Sequence, residues 1–250
     1  MPRRTWHHAK TSRVENARTA PSAKDIRLWC RACQADDHAE GLIAQSLNAE
    51  SLYVEWRERM RGGLERLQNR SAQLFRDTRL FRVYSSTLVP GLLQTEGYAA
   101  TVLRFDAAFR ELPVDDSAAA ARTRVERSRV LHEPGHRCVL VVEATVLRYR
   151  IGDADAMAVQ LGYLLTAGAL PSVSFGIIPA AARRQKQWPR ETFHVYDDTL
   201  VSVELASARI RITQPSEITL YLKAFEELRA MAVYGPAARA LVVEAIEALG

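Results

Sequence analysis

Several groups of residues have the types and spacing for chemistry. The segment Arg183-Arg184-Gln185-Lys186-Gln187-Trp188-Pro189 puts three positive charges beside an indole, between two predicted strands. A mobile loop of that composition can clamp an anionic or planar ligand by charge and stacking, with Arg183, Arg184, Lys186 and Trp188 at the ligand mouth; an exposed hairpin loop is the plainer reading. Cys30-x-x-Cys33 invites zinc or redox chemistry, but zinc needs four ligands, and both thiols fall on the apolar face of a predicted helix, so core packing is expected. His7 and His8 are adjacent, and neighbours on a helix point about 100° apart, a poor arrangement for one metal ion. Arg122, Arg124, Arg127 and Arg129 lie on one helical stretch. They read either as a phosphate-binding face or, since Glu126 and Glu133 alternate with them, as a solvated, ion-paired face. Glu143, His132, His136 and His194 are the remaining acid and base candidates. No nucleophile and base pair, metal set, P-loop or dinucleotide fingerprint has convincing spacing, so neither catalytic residues, a metal nor a cofactor is expected.

The elements that would position these groups change character along the chain. Residues 5–16 predict a short helix, and Ser22 predicts an N-cap for a helix over 23–35. A third helical pattern runs to Leu67, interrupted at Gly62-Gly63. Apolar and aromatic residues crowd 74–89, Pro90-Gly91 marks a turn, and helices are predicted over 92–105 and 118–131. Beyond that the period shifts. Strands are predicted over 138–143, 172–179 and 192–205, with a helix over 154–167 between the first two and two closing helices over 216–234 and 236–249. The pattern predicts an α+β fold, an N-terminal helical segment followed by a mostly helical domain with a small antiparallel sheet. The expected division is a helical segment over 1–70 and an α+β domain over 71–250.

Composition narrows the function. The 250 residues are 48% hydrophobic and 25% charged with a formal charge of +5, as in an ordinary globular protein. With no long apolar run, no signal-peptide pattern and three cysteines, a cytoplasmic protein with reduced thiols and no membrane partner is expected. Basic residues crowd the start of the chain, where Glu15 and Asp25 are the only acids before Asp36, so a polyanion partner is expected at that end.

The string from Thr11 to Ser22, with Ser12-Arg13-Val14-Glu15-Asn16 at its heart, resembles the end of the recognition helix in the phage-repressor-like (XRE-type) helix-turn-helix family. The resemblance implies a recognition helix over 6–14 and double-stranded DNA as partner, with His7, His8, Lys10, Arg13 and Arg18 contacting bases or phosphates. It also implies that the two helices preceding the recognition helix are missing. Leu88-Val89-Pro90-Gly91-Leu92-Leu93-Gln94-Thr95-Glu96-Gly97-Tyr98-Ala99 resembles the hallmark of an antitoxin-like C-terminal domain attached to such regulators in actinomycetes. Together these imply a dimeric transcriptional regulator that senses a small-molecule effector or a small partner protein. The alternatives are a sensor domain recruited as a biosynthetic enzyme or small-molecule binder, and an antitoxin-like protein whose partner is a small protein.

Overall fold

A computed structural model of the chain describes residues 8–16, 18–19, 21–43, 46, 53–55 and 63–249. They fall into two compact units that divide between Tyr53 and Val54, earlier than the boundary at 70 read from the sequence.

In the first unit, helix α1 spans His8–Glu15 and α2 spans Ala23–Ala32. Ser22 caps α2 through a reciprocal box. Its hydroxyl accepts from the Asp25 backbone N–H while the Asp25 carboxylate accepts from the Ser22 N–H at 2.9 Å. The helix stops short of residue 35 because Gln34 turns left-handed at φ 56°. Cys30 packs with Ile26, Ala39 and Ile43, whereas Cys33 sits at the helix end and is exposed, not on the apolar face. The predicted continuation of the third helix over 47–52 and 56–62 lies outside the described residues. A three-residue strand, β1 (Tyr53–Glu55), falls at the division between the units.

The second unit begins with α3 (Leu64–Arg70) and α4 (Ala72–Asp77), then β2 (Leu80–Ser85). Next come α5 (Glu96–Phe109), α6 (Ser117–Arg127), β3 (Arg137–Glu143), α7 (Ala154–Ala167) and β4 (Val173–Ile178). Strands β5 (Phe193–Tyr196), β6 (Leu200–Glu204) and β7 (Ala208–Ile212) follow, and α8 (Pro215–Arg229) and α9 (Gly235–Glu247) close the chain. The fold is α+β as expected, but the sheet is larger and mixed. Six of its strands run in the order β7-β6-β5-β2-β3-β4, with β2, β3 and β4 parallel and the β2-β5-β6-β7 half antiparallel. Strand β2 lay hidden in an apolar stretch without clear period, and the run over 192–205 is a hairpin turned at Asp197, φ 49°. The Asp197 carboxylate accepts from the Arg79 and Leu80 backbone N–H groups at 3.1 and 2.8 Å, which pins the start of β2 to that turn.

One face of this sheet has two characters. Under its parallel half, Phe81, Val83, Leu140, Val142, Phe175 and Ile177 join Met157 and Leu161 of α7 and Val242 of α9 in a continuous core. Under its antiparallel half, the same face carries His194, Ser202, Glu204, Arg209 and Arg211, because polar residues alternate with Val195, Val201, Val203 and Ile210 along β5 to β7. Helices α3 to α6 cover that polar half. On the opposite face Phe193 meets Phe225 and Tyr221 of α8, with ring centroids 6.4 and 5.0 Å apart.

Helix α3 belongs firmly to the second unit. Gly63 (φ 86°) admits the chain, and Asp116 at the start of α6 accepts from the backbone N–H groups of Leu64 and Glu65 at 3.0 and 2.9 Å, acting as the N-cap that Gly63 cannot supply. A Cβ at Gly63 would lie 2.5 Å from the Asp116 carboxylate oxygen, so glycine is required for both angle and space. Replacing Asp116 by Ala should destabilise the protein by about 1–2 kcal/mol, the cost of a lost helix cap. Thermal melts read this as a fall of roughly 2–4 °C per kcal/mol; an unchanged Tm would show that water caps α3 equally well.

Candidate anion-binding cavity

Between the polar half of the sheet and helices α3 to α6 lies a cavity of about 490 Å³, within the usual size range of small-molecule sites. Its position follows from the turn 88–95, which carries the sequence hallmark. Gln160, fully buried on α7, donates to the Leu93 carbonyl at 2.7 Å and accepts from the Thr95 N–H at 2.8 Å. Thr95 caps α5, the Val89 N–H donates to the Tyr98 hydroxyl, and Ser128 donates to the Gly91 carbonyl. Gln94 is thereby fixed with its amide N–H on the Val89 carbonyl, 2.7 Å away, and its amide oxygen toward α6.

That oxygen receives Arg124. Arg124 donates to the Gln94 Oε1 at 2.8 Å and to the Gln68 Oε1 at 3.3 Å, and both glutamines are buried. One turn on, Arg127 donates to the Gln68 carbonyl at 3.5 Å, its guanidinium lies 4.1 Å above the Phe75 ring, and its Nε has no hydrogen-bond partner. Among the described residues, neither arginine forms a salt bridge with a carboxylate. Burial lowers the pKa of both groups. For Arg124, Glu204 opposes the shift; for Arg127, Arg124 adds to it and presses the value down to about 9, so the group remains charged at neutral pH.

The sheet side balances part of this charge. Glu204 forms a salt bridge with Arg209. Desolvation would raise the Glu204 pKa, but the surrounding cations, Arg209 foremost, hold it down at about 2. His194, its ring stacked parallel to Tyr196, is pushed down to about 4, by burial first and then by the neighbouring arginines over the opposing pull of Glu204. It is therefore neutral at pH 7, able to donate from one nitrogen and accept at the other. Ser202 is buried with an unpartnered hydroxyl. Asp106 on the cavity wall pairs with Arg110 at 2.9 Å. Among the described residues, the arginines lining the cavity (70, 110, 124, 127, 209 and 211) thus face two carboxylates, Asp106 and Glu204, and a cavity with that surplus favours anions.

The arginine helix singled out in the sequence divides in two. Arg122 and Arg129 lie on the solvated, ion-paired face beside Glu96 and Glu126, while Arg124 and Arg127 turn inward. Their signal was the i, i+3 continuation of the small buried residues Ser117, Ala120 and Ala121 of the same helix. Gln68, Gln94, Ser202 and Glu204 carried no motif of their own.

The other candidates are distributed elsewhere. Arg184 is held by the buried Glu143 in a two-pronged ion pair, and Glu143 also accepts from the Tyr84 hydroxyl at 2.7 Å. Tyr84 and Glu143 lie on the sheet face opposite the cavity, which carries the 183–190 loop away from it. Arg183, Lys186 and Trp188 are exposed, with Arg190 stacked 4.2 Å over the Trp188 ring. None of the four loop residues lines the cavity. The acid and base candidates do not assemble: His136 is bonded to the Thr78 carbonyl, His132 is exposed, and His194 alone joins the cavity. In the first unit, Lys10 forms a 2.7 Å salt bridge with Asp25, whose carboxyl is held at about 2 by hydrogen bonds from Lys10 and then from Ser22. Arg13 and Arg18 are exposed. His8 begins α1, and His7 lies outside the described residues. The described residues contain no cluster able to hold a metal and no helix long and apolar enough to cross a membrane.

The family described as "Domain of unknown function (DUF5753)" matches residues 69–244, from α3 into α9. The chain belongs to this family. The DUF5753 region therefore contains the whole sheet-side wall of the cavity together with Gln94, Arg124 and Arg127. Comparison with curated proteins finds no match. Among solved structures, one described as "Structure of TrmBL2, an archaeal chromatin protein, shows a novel mode of DNA binding" aligns at 10% identity with a TM-score of 0.35, over 85% of this chain and 69% of that one. A likeness that low carries no argument about this chain.

Buried like charges without a salt-bridged carboxylate are costly, and a nonpolar replacement of matched length removes that cost. Arg127→Met, which keeps a side chain able to lie on Phe75, should leave Tm unchanged or raise it. A loss of more than about 2 kcal/mol in denaturant melts would instead make Arg127 a structural residue.

Proposed function

We propose that the second unit is a sensing domain that takes up a small anion in its cavity, and that the chain acts as a regulator whose first unit contacts DNA. The observation that carries the sensing part is the pair of interior guanidiniums, Arg124 and Arg127, held by neutral amide oxygens and an aromatic ring with no carboxylate salt-bridged to either. Proteins rarely retain such groups for stability; a ligand that completes them is the economical explanation.

The DNA-contacting part rests on the basic first segment, on the exposed Arg13 and Arg18, and on the resemblance of residues 11–22 to a recognition helix. DUF5753 domains accompany a helix-turn-helix in many actinomycete proteins, which supports the same reading. Lys10 is engaged by Asp25, so phosphate contacts fall first to Arg13 and Arg18. An effector bound more tightly by one conformation of the second unit would shift the balance between DNA-bound and free states, and a homodimer would double the contact.

Two titrations test the two parts. Fluorescence anisotropy against the chain's own upstream DNA and a scrambled duplex, at two salt concentrations, should show selective binding that weakens with salt. Arg13→Ala with Arg18→Ala should abolish it; equal affinity for both duplexes would remove the DNA reading. Separately, carboxylate salts should raise Tm above that in chloride of equal ionic strength, and Arg124→Gln with Arg127→Gln should cancel the rise. An equal rise in that variant would remove the sensing reading.

A further inference from the structure

The cavity wall mixes charged and apolar groups. Arg124, Arg127, His194 and Ser202 lie on it together with the Glu204–Arg209 and Asp106–Arg110 pairs, and Val102 and Leu103 of α5 add apolar surface. The same helix then carries two large exposed aromatics, Phe105 (52% accessible) and Phe109 (72%), which line the cavity one turn apart, with Leu205 from the β6–β7 turn, 39% accessible, also on the wall. Exposed aromatic residues at a cavity wall, on a face that buries its other apolar groups, are what a ligand with an apolar body would cover.

The charge on the wall narrows the anion. Each guanidinium has five N–H groups; Arg124 uses two of them on Gln68 and Gln94, and Arg127 uses one on the Gln68 carbonyl. Glu204, ionised on the same wall, adds a repulsion that grows with each further negative charge on the ligand.

We propose that the cavity binds an amphiphilic monocarboxylate, with its carboxylate on Arg124 and Arg127 and an apolar body of about ten carbons lying along α5 to Phe105 and Phe109. This rests on the sensing reading above and specifies its ligand. The carboxylate enters as the anion, no bond is made or broken, and neutral His194 is placed to donate a further hydrogen bond to it.

Isothermal titration of the full chain with acetate, hexanoate, octanoate, decanoate, 1-decanol and inorganic phosphate tests it. Affinity should rise with chain length, up to about fourfold per added methylene, with decanol and phosphate each at least tenfold weaker than decanoate. Arg127→Met should remove the preference for decanoate over decanol. Phe105→Ser with Phe109→Ser should flatten the length dependence from acetate to decanoate. Phosphate binding as tightly as decanoate, or an unaltered length dependence in the Phe variant, would overturn the amphiphile while leaving an anion site. Equal binding of decanol and decanoate, unaffected by Arg127→Met, would overturn the sensing reading as well.

Discussion

Arg124 reaches the cavity on the amide oxygens of Gln68 and Gln94, and much of the second unit is arranged so that these two oxygens are where they are. An amide oxygen accepts a hydrogen bond without cancelling the charge of its donor, so the guanidinium is oriented but not neutralised. A carboxylate in the same place would have made a stable ion pair and closed the site to other anions. Gln94 is held by the Val89 carbonyl, and its turn is held by Gln160 from α7 and by Ser128 from the end of α6. Gln68 depends on α3, whose first turn depends on Asp116. The chain of dependence therefore runs from backbone caps to amide side chains to a pair of cations with no carboxylate salt-bridged to either.

The sheet contributes through its pairing. On the cavity-side face, β3 and β4 present apolar residues packed against α7 and α9, while Phe81, Val83 and Ser85 of β2 reach the cavity. Where β5, β6 and β7 run antiparallel, the same face alternates to His194, Ser202, Glu204, Arg209 and Arg211 and the space is left hollow. One sheet thus provides both an anchoring core and a binding wall. The apolar residues alternating with the polar ones are buried on the opposite face, so the wall can be polar without the hairpin losing its hydrophobic support.

Much of this order was legible in the sequence. Residues 154–167 formed the predicted helix, and Ser22 formed the predicted cap, because both depend on local signals: spacing, capping side chains and turn residues. Strand β2 and the parallel pairing were not legible, since a strand buried on both faces loses its alternation. The cavity escaped detection for a related reason. Gln68 and Gln94, separated by 26 positions, become a unit only through Arg124, and no local pattern marks a long-range amide contact. Arg184 shows the converse: its composition suggested a ligand clamp, but Glu143, 41 positions away, claims it. Charge clusters in sequence identify available cations, whereas their use is decided by which carboxylates the fold brings within reach.

The central claim is that Arg124 and Arg127 hold the oxygens of a bound anion. Co-crystallisation with a para-bromophenyl-substituted alkanoate, whose bromine is located by anomalous scattering, tests this most directly. The account predicts carboxylate density within about 3 Å of both guanidiniums, with the bromine toward Phe105 and Phe109. A ligand bound elsewhere on the molecule, or one in the cavity with its carboxylate away from Arg124 and Arg127, would contradict it.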